Sequence, residues 1–161
     1  MKKVLKNRKG FTLIELLAVI VILAILVMVA IPAVTKYLNQ ARQGTFVDNA
    51  KSAISAVRND VIISGGNKQE YSLTEINSLL EKKLITSPFG GKYCTESKIT
   101  ISYDEDTGAG SYSMILYDED GRGWMTSKTE NQLKDADVEI QVQDSVSCTP
   151  VNDAGSAAAT S

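Results

Sequence analysis

An uninterrupted apolar run dominates the amino-terminal part of this chain of 161 residues. No polar side chain occurs at residues 16–31, and from residue 11 onward only Thr12 and Glu15 interrupt the run. As a helix rising about 1.5 Å per residue, residues 11–31 reach roughly 30 Å, the thickness of the hydrocarbon layer of a bilayer. The run therefore predicts a membrane-spanning helix. An ionised carboxylate at that depth costs on the order of 2.5–3.5 kcal/mol, so Glu15 needs a partner or a proton.

A secretory signal peptide and an ordinary single-pass anchor are the two simplest explanations of such a run. A signal peptide has a shorter core that ends in a small-residue cleavage site, whereas this run continues to Pro32 and merges with a second helical pattern. An ordinary anchor accounts for the length of the run but not for Gly10, Phe11 and Glu15. Neither explanation accounts for the six residues from Gly10 to Glu15.

The block Gly10-Phe11-Thr12-Leu13-Ile14-Glu15, with basic residues before it and an apolar helix behind it, resembles the start of a type IV prepilin. The resemblance covers about the first sixty residues. It implies that a membrane prepilin peptidase cuts between Gly10 and Phe11 on the cytoplasmic side and then N-methylates Phe11. It also implies that Glu15 pairs with the Phe11 amine of a neighbouring subunit during fibre assembly.

The residues themselves leave the partner of Glu15 open. In a straight helix the amine of a chain that starts at Phe11 lies one turn from Glu15, so a pair within one subunit is possible. A pair between two subunits would in addition fix their relative height. The sequence favours neither arrangement, and the version between subunits comes from the resemblance alone.

The charge distribution predicts which side of the membrane each part of the chain occupies. Residues 1–10 hold five basic residues and no acidic one, so the positive-inside rule keeps them in the cytoplasm and places the bulk of the chain across the membrane. Without those five, the 17 Lys and Arg residues fall to 12 against 19 Asp and Glu, a net charge of −7. Nucleic acid is therefore not expected as a partner, since its phosphates attract Lys and Arg.

The residue inventory argues against an enzyme and against a metal or cofactor site. The chain has no histidine, which is the commonest general base and metal ligand, and it has only two cysteines. The stretch from Asp118 to Gly121 begins like a calcium loop, but Arg122 stands where Asp or Asn belongs and no glutamate closes the loop. We therefore expect solvated acidic turns rather than a metal site.

Beyond Pro32 the pattern becomes periodic, which predicts that one helix continues to residue 63. Its apolar face is formed by Val47, Ala50, Ile54, Val57 and Val61. Pro32 lacks an amide proton and crowds the preceding turn, so we expect a kink there. The resemblance adds the hypothesis that the helix melts locally around Pro32 when subunits pack into a fibre.

The remaining residues predict a small mixed head. Ser72 and Glu75 form a capping-box pattern before a short amphipathic helix. Strands are predicted at residues 98–103, 111–117 and 138–142. The predicted fold is α+β, a long amino-terminal helix packed on a small antiparallel sheet, which is also the type IV pilin fold that the resemblance implies.

Cys94 and Cys148 bracket most of the predicted sheet. Because an exported chain reaches a compartment where disulfides persist, one bridge between them is the simplest assignment, with two buried free thiols as the alternative. The resemblance agrees, since many pilins carry a bridge near the chain end.

Together these features predict three segments: a cleaved leader (1–10), a long helix (11–63) and a head (64–161). Within the helix, residues 11–31 span the membrane or form the fibre core and residues 32–63 are amphipathic, while the head ends in a flexible tail from about residue 151.

As the resemblance implies, the predicted function is that of a structural subunit of an extracellular type IV pilus that supports adhesion, aggregation or surface motility. The expected partners are further copies of the chain, the prepilin peptidase, the assembly platform and its ATPase, and the cell membrane before assembly. The alternative is a pseudopilin or minor pilin of a type II secretion or DNA-uptake system, and a membrane-anchored binding protein is a third possibility.

Overall fold

The computed structural model describes residues 11–65, 68–143 and 146–155. The chain divides into two compact units, with the boundary between Leu38 and Asn39. We refer to the described residues 11–38 as the first unit and to those from Asn39 onward as the second unit.

Helix α1 (Leu13–Ser64) confirms the single long helix that the sequence predicts. In the first unit its large apolar side chains are all more than half exposed. In the second unit the predicted periodic face is the buried one, and Val61 at its end is half-buried. The buried side chains of α1 are Phe46, Val47, Ala50, Ala53, Ile54 and Val57. The helix thus changes from an apolar surface on all sides to a single buried stripe.

A four-stranded antiparallel sheet packs with α1 in the second unit, which confirms the predicted α+β class. Its order is the order of the chain, from β1 to β4. The strands are β1 (Glu70–Ser72), β2 (Lys98–Tyr103), β3 (Gly110–Tyr117) and β4 (Gly123–Thr129). Helix α2 (Leu73–Leu79) follows β1, and two 3-10 turns, Glu130–Gln132 and Asp135–Asp137, follow β4.

Strands β2 and β3 form where apolar and polar side chains alternate. Ile99 pairs with Met114 and Ile101 pairs with Tyr112, and all four side chains are buried. Because successive strand residues point to opposite faces, this register places one apolar row against α1 and leaves Ser and Thr side chains on the other face. The capping box of α2 is also present, since Ser72 and Glu75 bond to each other's backbone amides.

The strand predicted at residues 138–142 is wrong. That segment makes one isolated bridge, between Glu139 and Gly123, and the fourth strand is β4 instead. The carboxylate of Glu139 accepts hydrogen bonds from the backbone amides of Ile140 and Gln141, at 3.0 and 2.9 Å. Amides used in this way are not available to a strand ladder, so alternation alone misled the prediction.

An aromatic cluster around Phe46 connects α1 to the loops beside the sheet. The rings of Trp124, Tyr93 and Phe89 lie 5.1, 5.8 and 5.9 Å from that of Phe46. Gly123 makes this packing possible, because a Cβ there would lie 2.5 Å from the Phe46 ring and 2.4 Å from the Leu116 carbonyl oxygen. The φ of Gly123 is also positive, at 123°, which other residues rarely adopt.

Candidate functional site

The start of α1 is held by hydrogen bonds between Thr12 and Glu15. The amide and the hydroxyl of Thr12 both donate to Oε2 of Glu15 at 2.8 Å, and the amide of Glu15 donates to the Thr12 hydroxyl at 3.3 Å. This reciprocal pattern is that of a capping box, which supplies partners for amides that have none inside the helix. Thr12 therefore serves as the cap, and the helix begins at Leu13.

This arrangement bears directly on the partner that Glu15 needs in a membrane. Two neutral donors of the same chain already bind the carboxylate, which offsets part of the cost of removing it from water. Phe11 precedes the cap outside the helix, with 92% of its surface exposed. The other side of the predicted cleavage point, Gly10, lies outside the described residues.

Pro32 lies inside α1, and helical residues continue on both sides of it. The hydroxyl of Thr35 donates to the carbonyl oxygen of Ile31 at 3.0 Å. Such bonds from a threonine to the preceding turn are associated with helix bending, so this turn combines two features that weaken a regular helix. The predicted kink and local melting at Pro32 remain predictions.

The apolar surface of the first unit is what a bilayer or a bundle of like helices would cover. Among the described residues, α1 is the one helix long and apolar enough to cross a membrane. No charged side chain occurs in α1 between Glu15 and Lys36. The region of α1 that contains Glu15 and Pro32 therefore combines a membrane-length surface with one capped carboxylate.

Two comparisons with known proteins match this arrangement. Residues 5–31 match the family model described as the prokaryotic N-terminal methylation motif. A protein of Dichelobacter nodosus described as "Fimbrial protein" is 32% identical over 126 residues, which cover 68% of this chain and 75% of that protein. The chain belongs to the type IV pilin family. No solved structure gave a significant match.

In this pilin the structure joins Cys94 and Cys148 by a disulfide; their Cα atoms are 5.1 Å apart and the two residues are separated by 54 positions in sequence. Beside the bridge, backbone hydrogen bonds pair residues 93–95 with residues 149–151. The amide of Thr95 donates to the Thr149 carbonyl oxygen at 2.9 Å, and the amide of Val151 donates to that of Tyr93 at 3.0 Å. The bridge therefore fastens the end of the chain to the segment that enters β2.

Glu96 lies beside the bridge and faces the same segment. Both of its carboxylate oxygens accept from the Thr149 amide, at 3.1 and 3.0 Å. Burial acts to raise the pKa of Glu96, but hydrogen bonds from Thr149 and its neighbours act more strongly and lower it. Potential ligand atoms of Cys94, Glu96 and Cys148 lie within 4.8 Å of one another. Because the two sulfur atoms are bonded to each other, they offer no thiolates to a metal ion.

The tail of the pilin was predicted to be flexible from about residue 151. In the structure Val151 is fully buried, and the buried amide of Asn77 donates to the Gly155 carbonyl oxygen at 2.9 Å. Lys83 donates to the Ala154 carbonyl oxygen at 2.8 Å. Residues 156–161 lie outside the described residues. This stretch has no apolar pattern, so only the partners in the folded chain reveal these contacts.

The acidic turn between β3 and β4 differs from its prediction, because Asp118 is buried rather than solvated. Its carboxylate accepts from the guanidinium of Arg122 at 3.2 Å and from the amides of Asp120 and Arg122 at 3.1 and 3.0 Å. Arg122 also binds the carboxylate of Asp120 and the carbonyl oxygen of Phe89, the latter at 3.1 Å. The pilin thus places the guanidinium of Arg122 among two carboxylates and one carbonyl oxygen. A search for calcium-loop spacing missed the pair because it treats Arg122 only as a mismatch.

The other acidic turn, between β2 and β3, binds its own backbone. One oxygen of Asp104 accepts from the amide and hydroxyl of Thr107, each at 2.7 Å, and from the amide of Asp106 at 3.2 Å. These bonds, chiefly that of the Thr107 hydroxyl, lower the pKa of Asp104. The carboxylate is exposed, and it serves to shape the turn.

Proposed function

We propose that the chain is a structural subunit of an extracellular type IV pilus that is assembled from the membrane through α1. The observation that carries the proposal is the block from Gly10 to Glu15, placed directly before an apolar surface of membrane length. Membership of the pilin family and the likeness to a fimbrial protein support it. An enzyme would need a catalytic group, and the chain offers no histidine for that purpose.

Processing would occur at the junction of Gly10 and Phe11. A prepilin peptidase would cut this bond on the cytoplasmic side and methylate the new amine of Phe11. The exposure of Phe11 outside the helix supports this step, because the residue after the cut has to be accessible to the peptidase. The basic leader would hold the junction on the cytoplasmic side until then.

Assembly would move α1 from lipid into a bundle of like helices. The assembly platform and its ATPase would supply the work of extraction, and the exposed apolar side chains of the first unit would then pack against neighbouring copies. Glu15 would bind the Phe11 amine of a neighbour in addition to Thr12. Because that pairing links one chain's start to another chain's first helical turn, it would set the register of the fibre.

The second unit would form the outer surface of the fibre and determine adhesion, aggregation or surface motility. Its net negative charge after processing does not favour nucleic acid. A pseudopilin or minor pilin of a type II secretion or DNA-uptake system would share the same amino-terminal segment. We prefer the pilus because the curated relative is described as a fimbrial protein.

Mass spectrometry of sheared surface material tests this proposal. We expect an abundant chain that begins at Phe11, carries one added methyl group and retains the disulfide, in filaments labelled by an antibody to the second unit. Traces confined to the cell envelope would instead support a pseudopilin. An uncut amino terminus in native cells would reject the whole class.

A further inference from the structure

Two concave surfaces of the second unit carry opposite charge. One, which we call the acidic groove, has a volume of about 730 Å³ and is lined along α1 by Asp48, Lys51 and Asp60, with Leu79 at its edge. The other, which we call the basic notch, has a volume of about 190 Å³ and contains Lys82 and Lys83. No carboxylate lines the basic notch in the described part of the chain. The two surfaces are therefore electrostatically complementary but separate.

Among the described residues no ion pair neutralises Asp48 or Lys82, and the acidic groove keeps a net negative charge because its lining has two carboxylates and one ammonium, that of Lys51. Six ion pairs join described side chains, and none includes Asp48 or Lys82. In the described ranges, the ammonium of Lys83 binds a neutral carbonyl oxygen, and Asp60 accepts a hydroxyl, that of Tyr71, at 2.8 Å. Both surfaces thus keep charge that a second molecule could neutralise.

The shape of the acidic groove suits a short piece of chain. Asp48 and Asp60 are twelve positions apart on α1, which corresponds to about 18 Å along the helix. About five residues of extended chain cover that length. The groove between the two carboxylates is lined by the small side chains of Ser52, Ser55 and Ala56, so a backbone can approach α1 closely there.

The lysines of the basic notch lie on an exposed bend. Lys82 and Lys83 follow the end of α2, outside any helix or strand, and both are exposed. A bend of this kind can enter a groove with little rearrangement of the sheet behind it. We propose that the acidic groove of one copy receives the Lys82–Lys83 bend of a second copy of this chain.

A second copy fits better than a small anion or an unrelated protein because each chain carries both halves of the contact. The two surfaces differ, so the contact is heterologous, and each added copy presents a new acidic groove to the next one. Repetition of a heterologous contact that does not close on itself produces an open helical filament. The inference therefore rests on the proposed fibre and names one surface contact within it.

The contact is expected to adjust fibre stability rather than to drive assembly. Exposed ion pairs contribute little individually. They are also screened by salt, since the Debye length is about 8 Å at physiological ionic strength. Their main effect is on orientation, because a wrong register would bring like charges together.

Charge reversal at single exposed positions tests the contact without removing a described ion pair. Fibres of the unaltered chain, Lys82→Glu, Asp48→Lys and the double variant are sheared, washed and assayed for released subunits at low and high ionic strength. Each single variant should release twofold to fivefold more subunit at low ionic strength, equivalent to about 0.4–1 kcal/mol at 1.4 kcal/mol per tenfold change. The double variant should return toward the unaltered chain, and all four should converge at high salt. Lys128→Glu, at a half-buried position of β4 outside both surfaces, is the control for charge reversal itself.

Three outcomes would overturn the proposal: no change in Lys82→Glu, an equal change in Lys128→Glu, or no recovery in the double variant. No recovery would indicate that the lysine contacts something other than Asp48, including a different protein. If Lys82→Glu fibres released no more subunit than fibres of the unaltered chain, this contact would be rejected and the proposed function would still stand. Absence of fibres from the unaltered chain would reject the proposed function itself.

Discussion

The two units of this pilin bury their apolar side chains in different ways. In the first unit, leucine, isoleucine and valine side chains cover all sides of α1, and those among the described residues are more than half exposed. In the second unit, side chains of the same types lie in a core of α1, α2 and the sheet, with Phe46, Ile54, Ile99 and Leu116 fully buried. The first unit therefore depends on lipid or on other copies for burial, whereas the second depends on its own tertiary structure.

The two units also treat their carboxylates differently. Glu15 is bound by a neighbouring threonine three positions away, through bonds that any helix start could form. Asp118 is bound by Arg122, which also reaches the carbonyl oxygen of Phe89, 33 positions away. Local bonds would be enough for a segment that exchanges lipid for other copies, as the proposed function requires, while the core of the second unit uses bonds between distant segments. Four changes test this division, from the loss of fibres to a small change in acid stability.

Glu15→Gln should abolish fibres while leaving the second unit folded. The variant keeps hydrogen-bonding capacity toward Thr12 but leaves the Phe11 amine of a neighbour without a counter-charge. A charge of that kind in an apolar bundle costs about 3 kcal/mol, which corresponds to a loss of roughly 100-fold in fibre yield. Quantitative immunoblots of sheared material measure the yield, and circular dichroism of the purified subunit is the control for folding.

If Glu15→Gln gave normal filaments, the role assigned to the carboxylate would be wrong. Glu15→Asp is the useful companion variant, because it retains the charge on a shorter side chain. A partial recovery with aspartate would identify charge as the essential property and reach as a secondary one.

Removal of the disulfide should have the opposite effect to Glu15→Gln, because it destabilises the second unit itself. Cys94 and Cys148 close a loop of about 54 residues. In the chain-entropy model, opening it lowers the free energy of unfolding by about 4 kcal/mol. Chemical denaturation of the double serine variant measures this change, and chemical reduction of the unaltered chain should reproduce it. Equal stability with and without the bridge would contradict the expectation.

Arg122→Gln tests whether the second unit depends on its internal cation. The substitution leaves the buried Asp118 carboxylate without its counter-charge, although two backbone amides still bind it. We expect a loss of about 3 kcal/mol, at the lower end of the cost of breaking a buried pair. Thermal denaturation measures the loss, and Lys98→Gln, which breaks an exposed pair with Glu70, is the control with an expected loss under about 1 kcal/mol. Similar losses of stability in both variants would show that the buried pair matters no more than an exposed one.

Lowering the pH should have the smallest effect on stability, through protonation of Glu75 in the capping box of α2. The hydrogen bond from Lys68, followed by those from Ser72, lowers the pKa of Glu75 from 4.5 to about 2. A lowered pKa in the folded chain means that the stabilisation is complete above about pH 4.5 and is lost as the pH falls toward 2. The carboxylate is half exposed, so solvent screens it and the change is small.

Melting temperatures of the unaltered chain and of Glu75→Gln, recorded from pH 7 to pH 2, measure this effect. The two curves should differ most at neutral pH and approach each other in acid. Parallel curves across the range would show that the capping carboxylate does not contribute to the acid response.

The amino-terminal sequence by itself determined the family, the long helix and the membrane-length apolar surface. It could do so because these properties depend on neighbouring residues, through helical spacing and the accumulation of apolar side chains along one segment. The same local reasoning identified the capping box of α2 and two of the four strands.

Only the tertiary structure decided how the second unit closes. Strand β4 takes the place that alternation assigned to residues 138–142, Asp118 is buried against Arg122, and the segment ending at Gly155 is fastened to Asn77. Each outcome depends on partners far apart in sequence. These partners compete for backbone amides and for buried space, and a local sequence pattern contains no information about that competition. The apolar helix could therefore be predicted from its own residues, whereas the packing of the second unit had to be seen.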